Sequence, residues 1–142
     1  MKQVRKALGI LVLVMMTSLT IVTAIQAQTD HIQLKANIPF DFYVGDKKLP
    51  AGNYIVTQPG IGALWVIGDH GSTPIFTTRV TNRGRNMEPA LVFNKYTPDQ
   101  LFLSEVRWSG NPMASKVQQS ELEQDIAVNV PAKRVIAAVK NR

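Results

Sequence analysis

Histidine and acidic side chains carry most of the reactive chemistry in this chain, which has two histidines, ten acidic residues and no cysteine. His70 follows Asp69 in a turn flanked by glycine, where an imidazole could act as a general base or as half of a metal site. His31 is far away in the sequence, and two histidines without a third ligand are a weak basis for zinc. We therefore interpret His70 as a solvated turn residue, and we predict no metal and no cofactor.

A pair of carboxylates is the second arrangement with catalytic potential, because two acids can together cleave a glycosidic bond. Glu88 and Glu105 are the best placed, each on or beside a predicted strand. Glu105 alternates with Leu103 and Arg107, which favours an outward ion pair with the arginine over catalysis. No G-x-S-x-G motif is present to hold a serine nucleophile. His70, Glu88 and Glu105 are thus weak catalytic candidates, and a non-enzyme is favoured over an enzyme.

Three arginines lie within seven residues around a glycine: Arg79, Arg83 and Arg85. Guanidinium groups grip phosphate with two parallel hydrogen bonds, so this segment could bind a polyanion such as a lipopolysaccharide phosphate or a cell-wall polymer. The alternative is a hydrated loop that keeps the end of a strand soluble. The formal charge is +6 but falls to +3 without the first 27 residues, an ordinary surface charge that does not indicate a nucleic-acid partner.

Five large aromatic residues could line a sugar-binding face, since aromatic rings stack well on ligands. The same rings also dominate the cores of β proteins, and core packing is the favoured interpretation. These residues are Tyr43, Tyr54, Trp65, Tyr96 and Trp108.

The first 27 residues have the three parts of a secretory signal peptide: a basic start with three cations, an apolar stretch over 7–25, and the small Ala27 at the cleavage position. We therefore predict a signal peptide over 1–27 and a single β-rich domain over 28–142, exported to the periplasm or outside the cell. An uncleaved anchor is the alternative, because the 19 uncharged residues approach the roughly 20 needed to cross a bilayer.

After the leader, apolar and polar residues alternate over 32–44, the pattern of a strand with one side on a core. Pro39 interrupts this run and predicts a break, a bulge or an edge position. Turn signals then recur about every 8–12 residues, a spacing typical of all-β sandwiches and barrels. The further predicted strands cover 53–58, 63–67, 74–81, 90–96, 101–108 and 134–139.

One segment differs from the strands. Ser120 with Glu123 fits a capping box, and the pair predicts the start of a short helix over about 120–128. The sequence therefore predicts an all-β fold: a single antiparallel sandwich or barrel of about seven or eight strands, with one short helix near the C-terminus.

Two pairs of stretches carry a resemblance to a family. They read IPFDFYVG (38–45) with LPAGNY (49–54), and LVFNKY (91–96) with LFLSEV (101–106). Together they resemble an uncharacterised family of small exported β-rich proteins common in acidobacterial genomes. The resemblance implies export from a bacterium. It implies no catalytic or binding residue, because the family has no known activity to transfer.

Three functions remain open on these grounds. The favoured one is an exported, non-catalytic β domain with a binding or structural role in the cell envelope or outside the cell, for an unknown ligand. The first alternative is a hydrolase acting on an envelope polymer or polysaccharide through the weak catalytic candidates. The second is a polyanion-binding module that uses the three arginines. Contact with a membrane is expected only through the leader, if it is retained.

Overall fold

The computed structural model describes residues 32–81 and 88–139, and the structural statements below concern those residues. The predicted signal peptide, His31, Arg83 and Arg85 lie outside them. The described chain forms ten strands and one short helix. In chain order they are β1 (Gln33–Ile38), β2 (Phe42–Val44), β3 (Lys47–Leu49), β4 (Gly52–Gly60), β5 (Ala63–Gly68), β6 (Gly71–Thr81), β7 (Ala90–Thr97), β8 (Gln100–Arg107), β9 (Met113–Val117), α1 (Glu121–Ala127) and β10 (Lys133–Ala138).

The strands belong to one mixed sheet. Most of them follow a single path of hydrogen-bonded neighbours, β1-β4-β5-β6-β9-β8-β2-β3, while β7 pairs with both β8 and β10. Since β7 runs along one edge of β8, the other edge is shared: β9 pairs with residues 105–107, and β2 pairs in parallel at Phe102. Within the described residues β1 and β10 are not hydrogen-bonded to each other, so the sheet does not close into a barrel.

The long strand β6 divides the sheet into two halves. Its residues 71–76 pair with β5, whereas 77–81 pair with β9. We call β1, β4, β5 and residues 71–76 the first half. The second half comprises the remaining strands and residues 77–81. Each half turns one side to a common core, and we call the outward sides the first face and the second face.

The core is built by side-chain alternation, because successive residues of a strand point to opposite sides. In β1, Leu34, Ala36 and Ile38 are buried while their neighbours are exposed. Phe42 of β2 packs between the two halves. Its ring centroid lies 5.1 Å from that of Tyr54 in the first half and 5.4 Å from that of Phe93 in the second, and both contacts are edge to face. Each fully buried side chain of this size contributes roughly 1.5–3 kcal/mol to stability.

The β-rich class and the short helix near the C-terminus are confirmed, and the β-rich fold is consistent with the sandwich that the sequence offers beside a barrel. Three finer expectations are wrong: the described residues form ten strands rather than seven or eight, the sheet is mixed rather than purely antiparallel, and it is not a closed barrel. The missing strands are short ones. β3 has three residues and β9 has five, and both lie in segments for which the sequence predicts no strand. Segments this short carry little periodic signal.

The predicted break at Pro39 and the predicted helix cap are both present. β1 ends at Ile38 and β2 begins at Phe42. Ser120 caps α1, with its Oγ accepting a hydrogen bond from the Glu123 amide nitrogen at 3.2 Å. The glutamate does not complete a capping box, however, because its carboxylate binds side chains of β7 instead. The cap thus fixes where α1 starts, and Glu123 ties it to the second face.

Candidate functional site

The first face carries a groove across β1, β4 and β5 with a volume of about 770 Å³. Drug-sized ligand sites typically enclose about 300–1,000 Å³. The groove is lined by apolar side chains, two amides, and one positive and one negative side chain. Ala36 and Tyr54, whose side chains point inward, also line it. Its lining residues are Lys35, Ala36, Asn37, Asn53, Tyr54, Ile55, Ile67, Gly68, Asp69 and Val139.

Large apolar side chains extend along the first face beyond the groove. Trp65 is 39% exposed and lies opposite Thr57 on β4 and Pro74 on β6. Phe76, next to Ala63 in the β5–β6 pairing, is 78% exposed, and Ile61 at the β4–β5 turn is exposed as well. Exposed apolar residues grouped in this way mark interaction surfaces more often than isolated ones do.

Two asparagines stand at one end of the groove. Asn37 Nδ2 donates to Asn53 Oδ1 at 2.8 Å, across the β1–β4 pairing. Each amide can make several hydrogen bonds, so this single bond leaves a donor and an acceptor on the pair for water or a ligand. The groove therefore offers directional polar contacts beside its apolar side chains.

Tyr54 and Gly68 close the inner side beneath the groove. The Tyr54 ring lies against Gly68, where an added Cβ would be only 2.5 Å from Tyr54 Cε1, so this close packing depends on glycine. The Tyr54 hydroxyl donates to the Pro50 carbonyl oxygen at 2.6 Å. Burial raises the pKa of Tyr54, and the nearby charges of Asp69 and Asp41 raise it further. The phenol is therefore a neutral structural donor.

His70 lies in the turn between β5 and β6, as the sequence predicts. It lines a small cavity of about 200 Å³ together with Lys47, Lys48 and Pro50. No group of three or more histidine, cysteine, aspartate or glutamate side chains suited to a metal ion occurs within residues 32–81 and 88–139.

Glu105 is the most enclosed of the acidic candidates. It points to the second face from β8, with its residue only 8% exposed. Arg107 Nε donates to Glu105 Oε1 at 2.7 Å, and an Arg134 guanidinium nitrogen from β10 lies 3.9 Å from Oε2. Glu105 is therefore engaged by one close and one more distant arginine.

Glu123 is a buried acid that the sequence does not single out for this role. It is 3% exposed, and its Oε1 accepts hydrogen bonds from Asn94 Nδ2 at 2.9 Å and from the Tyr96 hydroxyl at 3.0 Å. Burial first, and then the hydrogen bond and the charge of Glu123, raise the pKa of Tyr96 to about 12. The only sequence signal was its position in the capping pair, which predicts a different partner.

The three weak catalytic candidates lie in three different structural settings. Glu88 is exposed in the segment before β7, Glu105 is ion-paired in β8, and His70 occupies its turn. In the described part of the chain no hydrogen bond or ion pair links any two of them. Arg79 is exposed on β6. The polyanion hypothesis also needs Arg83 and Arg85, which lie outside the described residues.

The five aromatic candidates are divided by the fold. Trp108 is buried, and its Nε1 donates to Ser115 Oγ at 3.0 Å. Tyr43 stacks on Phe102 with ring centroids 4.7 Å apart, while Tyr54 and Tyr96 make the hydrogen bonds given above. Trp65 is the member of this set with a ring on the open first face.

Comparison with protein-family models, curated proteins and solved structures finds no match for this chain. The resemblance to the acidobacterial family therefore stays a prediction. Across the residues that the structure describes, no helix is both long and apolar enough to span a membrane.

Proposed function

We propose that this chain is an exported, non-catalytic β domain that binds a glycan of the cell envelope or its surroundings through the groove of the first face. The observation that carries the proposal is the open groove of about 770 Å³ beside a half-exposed tryptophan. The export part rests on the predicted signal peptide over 1–27.

The chemistry of the groove matches a sugar chain. Sugar rings present both C–H faces and hydroxyl groups, and Ile55 and Ile67 offer apolar contact next to the Asn37–Asn53 amide pair. Lys35 and Asp69 add a donor and an acceptor for hydroxyls. Trp65 lies on the same side of β5 as Ile67, where its ring can stack on a further sugar unit.

Catalysis is less well supported than binding. A glycosidase needs two carboxyl groups that flank one bond. Glu105 already accepts a hydrogen bond from Arg107 and lies 3.9 Å from an Arg134 guanidinium nitrogen, so its carboxylate is committed to ion pairs. The hydrolase remains the alternative, and the same experiment separates the two.

The test expresses the full chain in a bacterial host and purifies the protein from the periplasm or the medium, with its intact mass reporting whether 1–27 are removed. A panel of neutral oligosaccharides is then titrated while tryptophan fluorescence is recorded. Trp65 is half-exposed and Trp108 is buried, so the signal change is expected to come from Trp65. The masses of the sugars before and after incubation show whether any bond is cleaved.

Variants locate the site. Trp65→Ala is expected to weaken binding at least about tenfold, because buried aromatic anchors dominate binding energy. This variant lacks the fluorescent reporter, so the affinities of the variants and of the unchanged protein are compared by isothermal titration calorimetry. The matched control is Ile136→Ala, which removes an exposed apolar side chain from the second face. Equal affinity of both variants and the unchanged protein would refute the assignment to the first face. Cleaved sugars would replace the proposal by the hydrolase.

A further inference from the structure

The second face holds a groove of its own, between the outward side chains of β6–β10 and the segment that leads into α1. Its volume is about 470 Å³. The lining contains two cations and five residues with hydroxyl or amide groups, and no carboxylate is among the residues that line it. They are Thr78, Asn94, Ser104, Lys116, Val117, Gln118, Gln119 and Arg134.

Charge accumulates at one side of this groove. Glu105 lies between Arg107 and Arg134 and opposite Lys116 in the β8–β9 pairing. Arg107 makes the close ion pair at 2.7 Å, whereas Arg134 is 3.9 Å away and its side chain is 64% exposed. One carboxylate therefore stands among three cations, and Arg134 combines a largely exposed side chain with a place in the groove lining.

The other nearby carboxylate does not cancel this excess. Glu123 is buried on the α1 side and is occupied by hydrogen bonds from Asn94 and Tyr96. Counting Glu105 and Glu123 against the three cations leaves one net positive charge. Of the three cations, Arg107 makes the close ion pair with Glu105, while Lys116 and Arg134 line the groove.

A β-bulge supplies a hydroxyl at the same place. In the β7–β8 pairing Val92 lies opposite Glu105, and Phe93 lies opposite Leu103. Ser104 is the extra residue between them, largely buried but lining the groove. Bulges redirect a side chain and are frequent beside functional sites. Ser104 and the second amide proton of Asn94 thus complement the two cations.

We propose that the second-face groove binds a phosphate group, held by Arg134 and Lys116 and hydrogen-bonded by Ser104. Arginine offers a planar fork that matches phosphate, and lysine adds a point charge. This site uses none of the three arginines considered from the sequence. Arg79 alternates with Thr78 on β6 and therefore points to the opposite side of the strand.

The proposal is independent of the glycan site, because the two grooves share no lining residue. The probe is inorganic phosphate, titrated into the ¹⁵N-labelled protein at low salt while backbone amide signals are followed by NMR. Saturable shifts are expected at Ser104, Lys116 and Arg134. Binding is expected to weaken as NaCl rises from about 20 to 500 mM, because salt screens exposed charges.

A charge-matched pair of double variants tests the location. Lys116→Gln with Arg134→Gln is expected to weaken phosphate binding at least about tenfold. Lys47→Gln with Lys133→Gln removes the same charge from exposed positions outside the groove, and is expected to leave affinity within about twofold. Arg107 stays as the close partner of Glu105 in both, so the fold is expected to persist, as thermal unfolding would report.

Arg134→Lys is the second variant, and it keeps the charge but loses the fork. It is expected to bind phosphate with intermediate affinity. Equal losses in the two double variants, or shifts that do not saturate below about 50 mM phosphate, would overturn the proposal. Glucose 6-phosphate and vesicles of anionic phospholipid, compared with inorganic phosphate, identify whether the group comes from a sugar, a lipid or free phosphate.

Discussion

The two outward faces of this sheet are built from the same kind of strand but treat their side chains in opposite ways. On the first face, apolar Trp65 and Phe76 are left exposed. On the second face, charged Glu105 and Glu123 are buried and paired. The difference shows that alternation decides only which side of the sheet a residue takes. The segments that pack on that side decide whether the residue is exposed to solvent.

Two neighbouring elements, α1 and β2, cover parts of the second face. α1 brings Glu123 onto Asn94 and Tyr96 of β7, and β2 stacks Tyr43 on Phe102. A polar group can be buried there because each one meets a partner, and no buried side-chain nitrogen or oxygen of the described residues lacks a hydrogen bond. Within residues 32–81 and 88–139, Trp65 and Phe76 of the first face stay exposed, which is why we assign this face to a ligand.

The largest effect expected from a single substitution concerns the core that the two halves share. Phe42→Ala removes a fully buried ring that contacts both halves, and is expected to lower the free energy of unfolding by about 3–5 kcal/mol. Phe76→Ala is the matched control on the exposed first face, with a change within about 0.5 kcal/mol. Urea unfolding measures both, and similar losses would show that the inward and outward sides are wrongly assigned.

A smaller effect is expected from the pairing that distinguishes the second face. Glu123→Ala leaves Asn94 Nδ2 and the Tyr96 hydroxyl without their acceptor, and is expected to cost about 1–3 kcal/mol. Glu121→Ala removes an exposed acid from the same first turn of α1, so it loses only the favourable interaction with the helix dipole, below about 1 kcal/mol. If both variants unfold at the same urea concentration, the buried network contributes nothing.

The smallest effect is a dependence on alkaline pH. The pKa of Tyr96 is raised in the folded protein to about 12, whereas an unfolded tyrosine titrates near 10. The stabilisation by the neutral phenol is therefore complete below pH 10 and is lost as the pH rises toward 12. Stability measured from pH 9 to 12 is expected to fall less steeply in Tyr96→Phe. An unchanged slope would mean that Tyr96 titrates normally.

Much of the fold could be predicted, because its elements depend on local patterns. The alternation over 32–44, interrupted at Pro39, located the inward row of β1 and β2, although Ile32 just before β1 is exposed. The strands predicted over 90–96 and 101–108 are present as β7 and β8, which pair with Phe93 opposite Leu103. β3 and β9 were missed because three to five residues give too little pattern to outweigh neighbouring turn signals.

The candidate sites were harder to predict. Trp65 lies between apolar Leu64 and Val66, so the pattern does not say which side faces water. Glu105 was correctly paired with Arg107, but its second arginine comes from β10, 29 positions away in the chain. Glu123 was assigned to the helix cap, while its actual partners lie on β7. In each case the deciding neighbour is distant in sequence.

The sequence by itself determined the β-rich class, the alternation that separates inward from outward residues, and the capped start of the last helix, because these follow from contacts between residues close in the chain. Only the tertiary structure decided that β2 joins β8 in parallel, that β1 and β10 of the described chain do not pair with each other, and which outward groups are covered. Those features depend on strands that meet after long separations along the chain. Local sequence patterns do not specify which distant strands pair.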